Sequence, residues 1–257
     1  MKAVGAVVRP FMFAWHFLTG IPLSRAHHDP TAPELAASMV WYPAVGILIG
    51  GGLVLADVML AKVFAAEVVN ALLIVLLVLQ TCGLHQDGLA DTLDGLAGGR
   101  TPTERLSIMR DPRIGAIGAT GLVLSLILRY AGLLALPHVL RIPALLCMPA
   151  VGRWAMATLA WASLYARVDG GLAAPFLAHL SWIHVLVATA VLTVALSLSF
   201  GLQSGLVILV GGAAIVAALW AGCRTWFGGI TGDTLGATNE VIEILFLLLV
   251  PSLLTLS

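Results

Sequence analysis

Three carboxylates lie close together in an otherwise apolar chain. Asp87, Asp91 and Asp94 fall within the run Asp-Gly-Leu-Ala-Asp-Thr-Leu-Asp-Gly, whereas only 10% of all residues are charged and 60% are hydrophobic. A helix turns by about 100° per residue, so the three carboxylates share one face within an arc of roughly 60°. Like charges at that spacing repel each other unless a cation or a charged substrate neutralises them. The motif therefore favours a divalent-metal site, and a solvated acidic loop is the alternative.

A second polar stretch, from Gly228 to Glu240, precedes the last apolar segment. Asp233 and Glu240 are seven residues apart and align on one helical face, with Glu243 about one turn further on. Acidic groups in or near a membrane are usually functional, although pairing between helices is the structural alternative. If both acidic groups faced one cavity, they could hold two metal ions together. The spacing alone leaves open whether they meet.

Basic residues near these motifs are candidates for binding phosphate. A diphosphate site commonly combines two kinds of group. Carboxylates bind Mg²⁺, and guanidinium groups bind phosphate oxygens. Arg110 and Arg113 follow the acidic motif, although a cytoplasmic loop would carry arginines in any case. Arg129 and Arg153 lie inside apolar stretches, where an anion contact and a buried ion pair are equally good explanations. His85 is a candidate general base, with an ordinary hydrogen-bonded histidine as the alternative.

The elements that must position these groups are membrane-spanning helices. The mean hydropathy is +1.03, and one span needs about 20 mainly apolar residues. We predict an all-α, polytopic integral membrane protein with about seven spans, forming a single membrane-embedded domain over residues 1–257. A short interfacial or re-entrant helix is expected at Phe11–Leu18. The predicted spans lie near residues 36–60, 67–84, 116–136, 142–163, 183–200, 204–222 and 240–256.

The charge distribution and the cysteine spacing narrow the class of protein, and the charges also predict its orientation in the membrane. Lys plus Arg and Asp plus Glu both number 13, so no basic surface for nucleic acid is expected. The three cysteines are isolated, which argues against a metal or disulfide role. With the N-terminus inside, nine Lys and Arg residues fall on one side of the spans and only Lys62 and Arg141 on the other. The positive-inside rule then predicts that the Asp87 and Asp233 segments are both cytoplasmic.

Three motifs together resemble the cobalamin synthase family, the adenosylcobinamide-GDP ribazoletransferases. They are Gly83-Leu84-His85-Gln86-Asp87-Gly88-Leu89-Ala90-Asp91-Thr92-Leu93-Asp94-Gly95, Ile108-Met109-Arg110-Asp111-Pro112-Arg113-Ile114-Gly115 and Gly232-Asp233-Thr234-Leu235-Gly236-Ala237. The resemblance runs from Phe17 to Glu243. It departs from the family pattern at Gly20, where the family usually has arginine, and at Gln86, where it usually has an apolar residue.

The resemblance implies a Mg²⁺-dependent enzyme of the bacterial inner membrane that acts late in cobalamin biosynthesis. Such an enzyme transfers the cobinamide-phosphate group of adenosylcobinamide-GDP to α-ribazole or its 5′-phosphate and releases GMP. The sequence does not decide the oligomeric state, and a homo-oligomer is compatible with it. The expected site residues are Asp87, Asp91, Asp94, Asp233 and His85 for catalysis, Asp87, Asp91, Asp94, Asp233 and Glu240 for metal, and Arg110, Arg113, Arg153, Thr231 and Thr234 for substrate.

Two other functions are compatible with parts of this pattern. A CDP-alcohol phosphotransferase or a membrane prenyltransferase would also set Asp-rich motifs at a membrane face to bind Mg²⁺ and diphosphate. A secondary transporter would use Arg129, Arg153 and Glu243 to line a substrate path. The polar motifs gather at one predicted face and no inverted repeat is visible in the sequence, which disfavours the transporter.

Overall fold

A computed structural model describes residues 2–23 and 29–255 of the chain. This part of the protein is built from α-helices, with short 3₁₀ helices at Met39–Trp41 and Val250–Thr255. The α-helices are α1 (Lys2–Leu18), α2 (Ala32–Ser38), α3 (Tyr42–Leu60), α4 (Ala66–Thr81), α5 (Leu84–Gly98), α6 (Pro102–Ile108), α7 (Ala116–Ala135), α8 (His138–Ala162), α9 (Ala174–Leu177), α10 (Trp182–Phe200), α11 (Leu202–Phe227) and α12 (Gly232–Leu249).

The predicted all-α polytopic fold is confirmed. Within the described residues, six helical segments are long and apolar enough to cross a membrane. Each overlaps one predicted stretch, and the last one starts eight residues earlier than expected, because the polar residues before residue 240 are helical and buried. The six segments are Ala32–Leu60, Ala116–Ala135, His138–Ala162, Trp182–Phe200, Leu202–Phe227 and Gly232–Ser252.

The seventh predicted span, 67–84, corresponds to a bent pair of helices. Helix α4 has 16 residues and meets α5 at 90°. The break falls at Cys82 and Gly83, which both adopt left-handed backbone conformations with φ of 51° and 69°. A 16-residue helix is about 24 Å long, slightly less than the hydrocarbon core of a bilayer. Because α5 turns away at a right angle and carries the acidic motif, we count α4 as the seventh span and α5 as lying outside the spanning segments.

The N-terminal helix is longer than predicted. The sequence predicts Phe11–Leu18, whereas α1 runs from Lys2 to Leu18 and continues through Pro10. Among the described residues, α1 is not one of the helices long and apolar enough to cross a membrane.

Helix α8 forms the centre of the bundle, and glycines let α3 approach it closely. A Cβ atom at Gly46 would lie 2.4 Å from the Cα of Ala150, and one at Gly50 would lie 2.2 Å from the carbonyl oxygen of Leu146. Small residues four apart allow two membrane helices to pack backbone against backbone. On another side, α8 packs against α12, which in turn packs against α5. This chain of contacts fixes α5 relative to the membrane bundle.

A short backbone pairing joins two loops at the end of the bundle where α5 lies. The amide of Ala166 donates to the carbonyl of Ile230 at 2.8 Å, and the amide of Ile230 donates to the carbonyl of Leu164 at 2.9 Å. The loops come so close that a Cβ at Gly229 would lie 2.4 Å from the Leu164 carbonyl oxygen. The pairing holds the segment after α8 against the turn that begins α12.

Candidate active site at the crossing of helices α5 and α12

The two acidic motifs of the sequence meet where α5 crosses α12. A Cβ at Gly88 would lie 2.6 Å from the carbonyl oxygen of Asp233, and a Cβ at Gly236 would lie 3.3 Å from His85. Only glycine permits backbones to approach this closely. The crossing brings the α5 carboxylates Asp87 and Asp91 towards Asp233, which answers the question the sequence left open.

The carboxylates at this crossing are incompletely neutralised. Burial, followed by the charges of Asp87, Asp233 and Asp94, raises the pKa of Asp91 to about 6, while the charge of Arg167 opposes the rise. A carboxyl group with a raised pKa is one whose negative charge lacks a sufficient counter-charge. The acidic cluster, by which we mean Asp87, Asp91 and Asp233, is therefore under-neutralised by the protein itself.

Arg167 is the cationic partner that sequence reasoning missed. Its Nη2 lies 2.8 Å from Oδ2 of Asp233, and both side chains are largely buried. Its Nε is also buried and has no hydrogen-bond partner among the described residues. The loop pairing described above sets Arg167 beside the start of α12. The only sequence signal was a short polar stretch between two spans, which did not stand out from other loops.

The carboxylate of Asp94 makes different contacts from those of Asp87 and Asp91. One of its oxygens accepts a hydrogen bond from the amide of Gly115 at 2.7 Å, and the other accepts from the amide of Gly118 at 2.8 Å. These are unpaired amides at the N-terminus of α7, where a negative charge is favourable. The geometry does not support the predicted metal role of Asp94. We assign its carboxylate to capping α7 and to attaching that helix to α5.

Glu240 belongs to a buried ion-pair network rather than to the acidic cluster. Arg129 reaches Glu240 at 2.7 Å and Glu243 at 2.6 Å, and Arg153 reaches Glu243 at 2.7 Å. All four side chains are at most 2% exposed, and the second oxygen of Glu240 accepts from Gln86 at 3.2 Å. A carboxylate with both oxygens engaged this way is not free to bind metal. The predicted metal role of Glu240 and the substrate role of Arg153 are therefore not supported, and the buried-ion-pair alternative explains both residues.

Thr231 and Thr234 cap the helix that carries Asp233. The hydroxyl of Thr231 accepts from the amide of Thr234 at 3.3 Å, and the hydroxyl of Thr234 accepts from the amide of Thr231 at 2.8 Å. Both residues are buried. The hydroxyl of Thr231 also donates to Asp233 at 3.2 Å. These contacts occupy the groups predicted to bind substrate, so the two threonines position Asp233 instead.

The arginines predicted to bind phosphate lie outside the crossing. Arg110 pairs with Asp169 on the surface, and Arg113 pairs with Asp111 at 2.7 Å. The guanidinium group of Arg113 holds the pKa of Asp111 down at about 2. Both arginine side chains are about half exposed or more, so they remain available to an incoming anion.

A cavity of about 150 Å³ is lined by two carboxylates of the acidic cluster and by apolar side chains. Asp87, Asp233 and Arg167 form its polar side, and His85 lines it at the helix crossing. Burial, together with the charges of Arg153 and Arg129, holds the pKa of His85 well below its usual range. The apolar side is formed mainly by Phe17, Met39, Tyr42, Met156 and Phe176.

The acidic cluster suits Mg²⁺ in its chemistry, although the described residues contain no group of three Asp, Glu, His or Cys side chains already arranged to hold a metal ion. Mg²⁺ binds carboxylate oxygens and is usually held by one or two protein carboxylates, with water and substrate phosphates completing its shell. Such a site does not need three converging protein ligands. Burial and then the neighbouring carboxylates raise the pKa of Asp91, and a bound cation would offset both effects.

Comparison with known proteins agrees with the motifs. The model of the family described as cobalamin-5-phosphate synthase (CobS) matches residues 10–251. A protein of Syntrophobacter fumaroxidans named adenosylcobinamide-GDP ribazoletransferase is 40% identical over 219 residues, which cover 84% of this chain and 87% of the relative. A protein of Geotalea daltonii with the same name is 37% identical over 249 residues, covering 94% and 96% respectively. No solved structure matches. The chain therefore belongs to the cobalamin-5-phosphate synthase family.

Proposed function

We propose that this protein transfers the cobinamide-phosphate group of adenosylcobinamide-GDP to ribazole, or to its 5′-phosphate, and releases GMP. Family membership gives the class of reaction, a transferase of cobalamin synthesis. The observation that supports the site is the cavity at which Asp87, Asp233 and Arg167 meet. The transporter alternative loses its support, because Arg129, Arg153 and Glu243 are buried and paired with one another.

The proposed reaction is a phosphoryl-type transfer. A ribose hydroxyl oxygen forms a bond to the phosphorus that carries cobinamide, and the bond between this phosphorus and the oxygen bridging to GMP breaks. The electron pair of the broken bond leaves with GMP, and the hydroxyl proton passes to a carboxylate of the acidic cluster, for which we choose Asp233. Reactions of this type depend mainly on positioning and charge neutralisation.

Each group at the polar side of the cavity has a role in this scheme. Asp87 and Asp91 are the residues that would hold Mg²⁺, which when bound would neutralise charge on the diphosphate oxygens, and Asp233 accepts the hydroxyl proton. Arg167 keeps Asp233 in place through one guanidinium nitrogen and has an unpartnered Nε for a phosphate oxygen. Arg110 and Arg113 are proposed as outer contacts for the GDP moiety.

The proposed setting is the bacterial inner membrane, with the acidic cluster on the cytoplasmic side. The nine-to-two distribution of Lys and Arg supports this orientation. The seven crossings, counted with α4, bring the α5 segment, the loop after α8 and the turn before α12 to the same end of the bundle, in agreement with the contact between Arg167 and Asp233.

The direct test is turnover by the purified full-length protein. Incubation with adenosylcobinamide-GDP, ribazole and Mg²⁺ should release GMP, and no release across several lipids and detergents would contradict the proposed function.

Arg167→Lys should raise the KM for the GDP donor by about tenfold and change the KM for ribazole much less, because lysine does not reproduce the guanidinium fork. Arg224→Lys is the matched control, since Arg224 is exposed and stacks on Trp220 instead. An unchanged donor KM in Arg167→Lys would remove Arg167 from the phosphate site.

A further inference from the structure

The cavity beside the acidic cluster has a chemical asymmetry that the proposed function does not yet explain. One side carries Asp87, Asp233 and Arg167, while the opposite side is aromatic and aliphatic, with Phe17, Tyr42 and Phe176 among its residues. A diphosphate needs only the polar side. The apolar side implies that part of a substrate is buried there, since ligand cavities lined mainly by apolar and aromatic groups bind matching apolar surfaces.

A polar atom without a partner lies at this cavity. His85 is only 1% exposed, it lines the cavity, and its Nε2 has no hydrogen-bond partner among the described residues. Buried polar atoms are rarely left unpaired in a folded protein unless a ligand or water completes them. The cavity therefore offers the Nε2 of His85 beside its apolar surface. The hydroxyl of Tyr165 and the Nε of Arg167, which also line the cavity, are buried without a partner as well. Arg167 contacts Asp233, which leaves His85 and Tyr165 for the rest of the cavity.

Three substrate moieties compete for this space under the proposed function, on which this inference rests. Guanine carries a carbonyl, a ring N–H, an amino group and a further ring acceptor, which are more groups than the unpaired Nε2 of His85 and hydroxyl of Tyr165 can satisfy. A corrin macrocycle is several times larger than a cavity of about 150 Å³. The benzimidazole base of ribazole is a flat bicycle that has a single unsubstituted ring nitrogen as its only hydrogen-bonding atom.

We propose that this cavity binds the benzimidazole base of the ribazole acceptor, and that the Nε2–H of His85 donates a hydrogen bond to the unsubstituted ring nitrogen. The unsubstituted ring nitrogen needs one donor, and the Nε2–H of His85 supplies it. The ribose, bonded to the other ring nitrogen, then extends to the polar side of the same cavity, where Asp87 and Asp233 lie. His85 thus determines which base is accepted and takes no part in the proton transfer.

The test compares ribazole with its indole counterpart, in which a CH group replaces the unsubstituted ring nitrogen. The wild-type protein should prefer ribazole by about ten- to a hundredfold in kcat/KM, because the indole leaves His85 unpaired. His85→Phe should reduce this preference to within about threefold, leave the KM for the GDP donor unchanged, and retain activity on the indole nucleoside. His85→Gln should restore part of the preference, since its amide can donate. His138→Phe, at an exposed histidine, should behave as the wild type.

Binding without turnover separates this inference from the proposed function. Titration of ribazole into the full-length protein, without GDP donor or Mg²⁺ and followed by the fluorescence of the base, should show weaker binding in His85→Phe and unchanged binding in His138→Phe. If the His85 variant does not fold, Gly232→Val provides a second route. Gly232 lines the cavity, and a Cβ there meets only Ala173 at 3.8 Å, so the larger side chain should fill space and weaken ribazole binding.

A wild-type protein that binds and uses both nucleosides equally would overturn the inference and leave the proposed function intact. Gly232→Val and His85→Phe variants that both fold and bind ribazole as tightly as the wild type would also overturn the inference and leave the proposed function intact. Failure of the wild type to release GMP with either nucleoside would contradict the proposed function itself.

Discussion

The buried network on α7, α8 and α12 and the acidic cluster at the end of the bundle differ in how completely the protein neutralises their charges. The buried network has two arginines, Arg129 and Arg153, and two glutamates, Glu240 and Glu243, joined by direct contacts of 2.6 to 2.7 Å. The acidic cluster has three carboxylates and one contacting arginine, Arg167. A balanced and fully buried set of charges holds helices together, whereas an unbalanced set at the membrane face is suited to binding a cation or a phosphate.

The positions of Glu243 and Asp233 along α12 agree with this difference between the buried network and the acidic cluster. Glu243 lies eleven residues after the start of α12, or roughly 16 Å along the helix axis, whereas Asp233 lies in its first turn. Gly152 on α8 lets the network residues approach, since a Cβ there would lie 2.5 Å from Asn239 and 2.8 Å from Glu243. Helix α12 therefore carries a structural group in the membrane and a reactive group at its end.

Breaking the balance of the buried network should have the largest effect on the folded protein. Glu243→Gln would leave Arg153 without its carboxylate partner at 0% exposure. An uncompensated buried charge costs about 3 to 5 kcal/mol. We expect a large drop in thermal stability in detergent and in the yield of membrane-inserted protein.

The double variant Arg153→Met with Glu243→Met sharpens this test. It removes one charge of each sign and leaves Arg129 paired with Glu240, so much of the lost stability should return. A Glu243→Gln protein as stable as the wild type would show that the network is not needed for folding.

Changing the acidic cluster should instead abolish turnover and leave the fold intact. Asp87→Asn and Asp91→Asn each remove a charge that is under-neutralised, so apo stability should be unchanged or higher. Asp233→Asn also takes the carboxylate partner from Arg167, so this variant should lose some stability as well as turnover. Turnover should fall by about a hundredfold or more, equivalent to about 2.7 kcal/mol of transition-state stabilisation. The measurement is GMP release at saturating substrates across a Mg²⁺ series.

Asp29→Asn is the matched control for this series, since Asp29 is exposed. Asp57 looks suitable from the sequence but is not, because it makes a buried pair with Arg141 at 2.6 Å. Near-normal turnover of the three cluster variants at limiting Mg²⁺ would mean that the cluster is structural, and the difference between the two charged groups would disappear.

The sequence predicted the parts of this site that depend on local periodicity. The apolar stretches predicted the spans, and the four-residue spacing of Asp87 and Asp91 predicted that they share a helical face, as they do on α5. Local spacing also predicted that Asp233 and Glu240 align on one helical face, and both residues lie on α12. These inferences needed no knowledge of which helices pack together.

Contacts between distant segments were beyond the reach of the sequence. Asp233 and its partner Arg167 are 66 residues apart, and nothing in the sequence distinguishes Arg167 from other loop arginines. The departure at Gly20 has a similar origin. A Cβ at Gly20 would lie 2.1 Å from the sulfur of Cys82, so a larger residue at position 20 requires Cys82 to move. Only the folded arrangement shows that these positions are coupled.

Asp94 provides the test with the smallest expected effect. It lies on the same helix as Asp87 and Asp91, yet its carboxylate holds two helices together, as the buried network does. Its carboxylate receives the amides of Gly115 and Gly118, and a Cβ at either glycine would collide with it at 2.4 Å or less. Asparagine can accept only one of these bonds and turns a donor towards the second amide. We expect Asp94→Asn to lose about 1 to 2 kcal/mol of stability, seen as a fall of several degrees in thermal melting. Turnover per folded molecule and its Mg²⁺ dependence should stay close to those of Asp29→Asn. If Asp94→Asn instead melts like the wild type and loses turnover as Asp87→Asn does, Asp94 belongs to the acidic cluster and the capping role assigned to it is wrong.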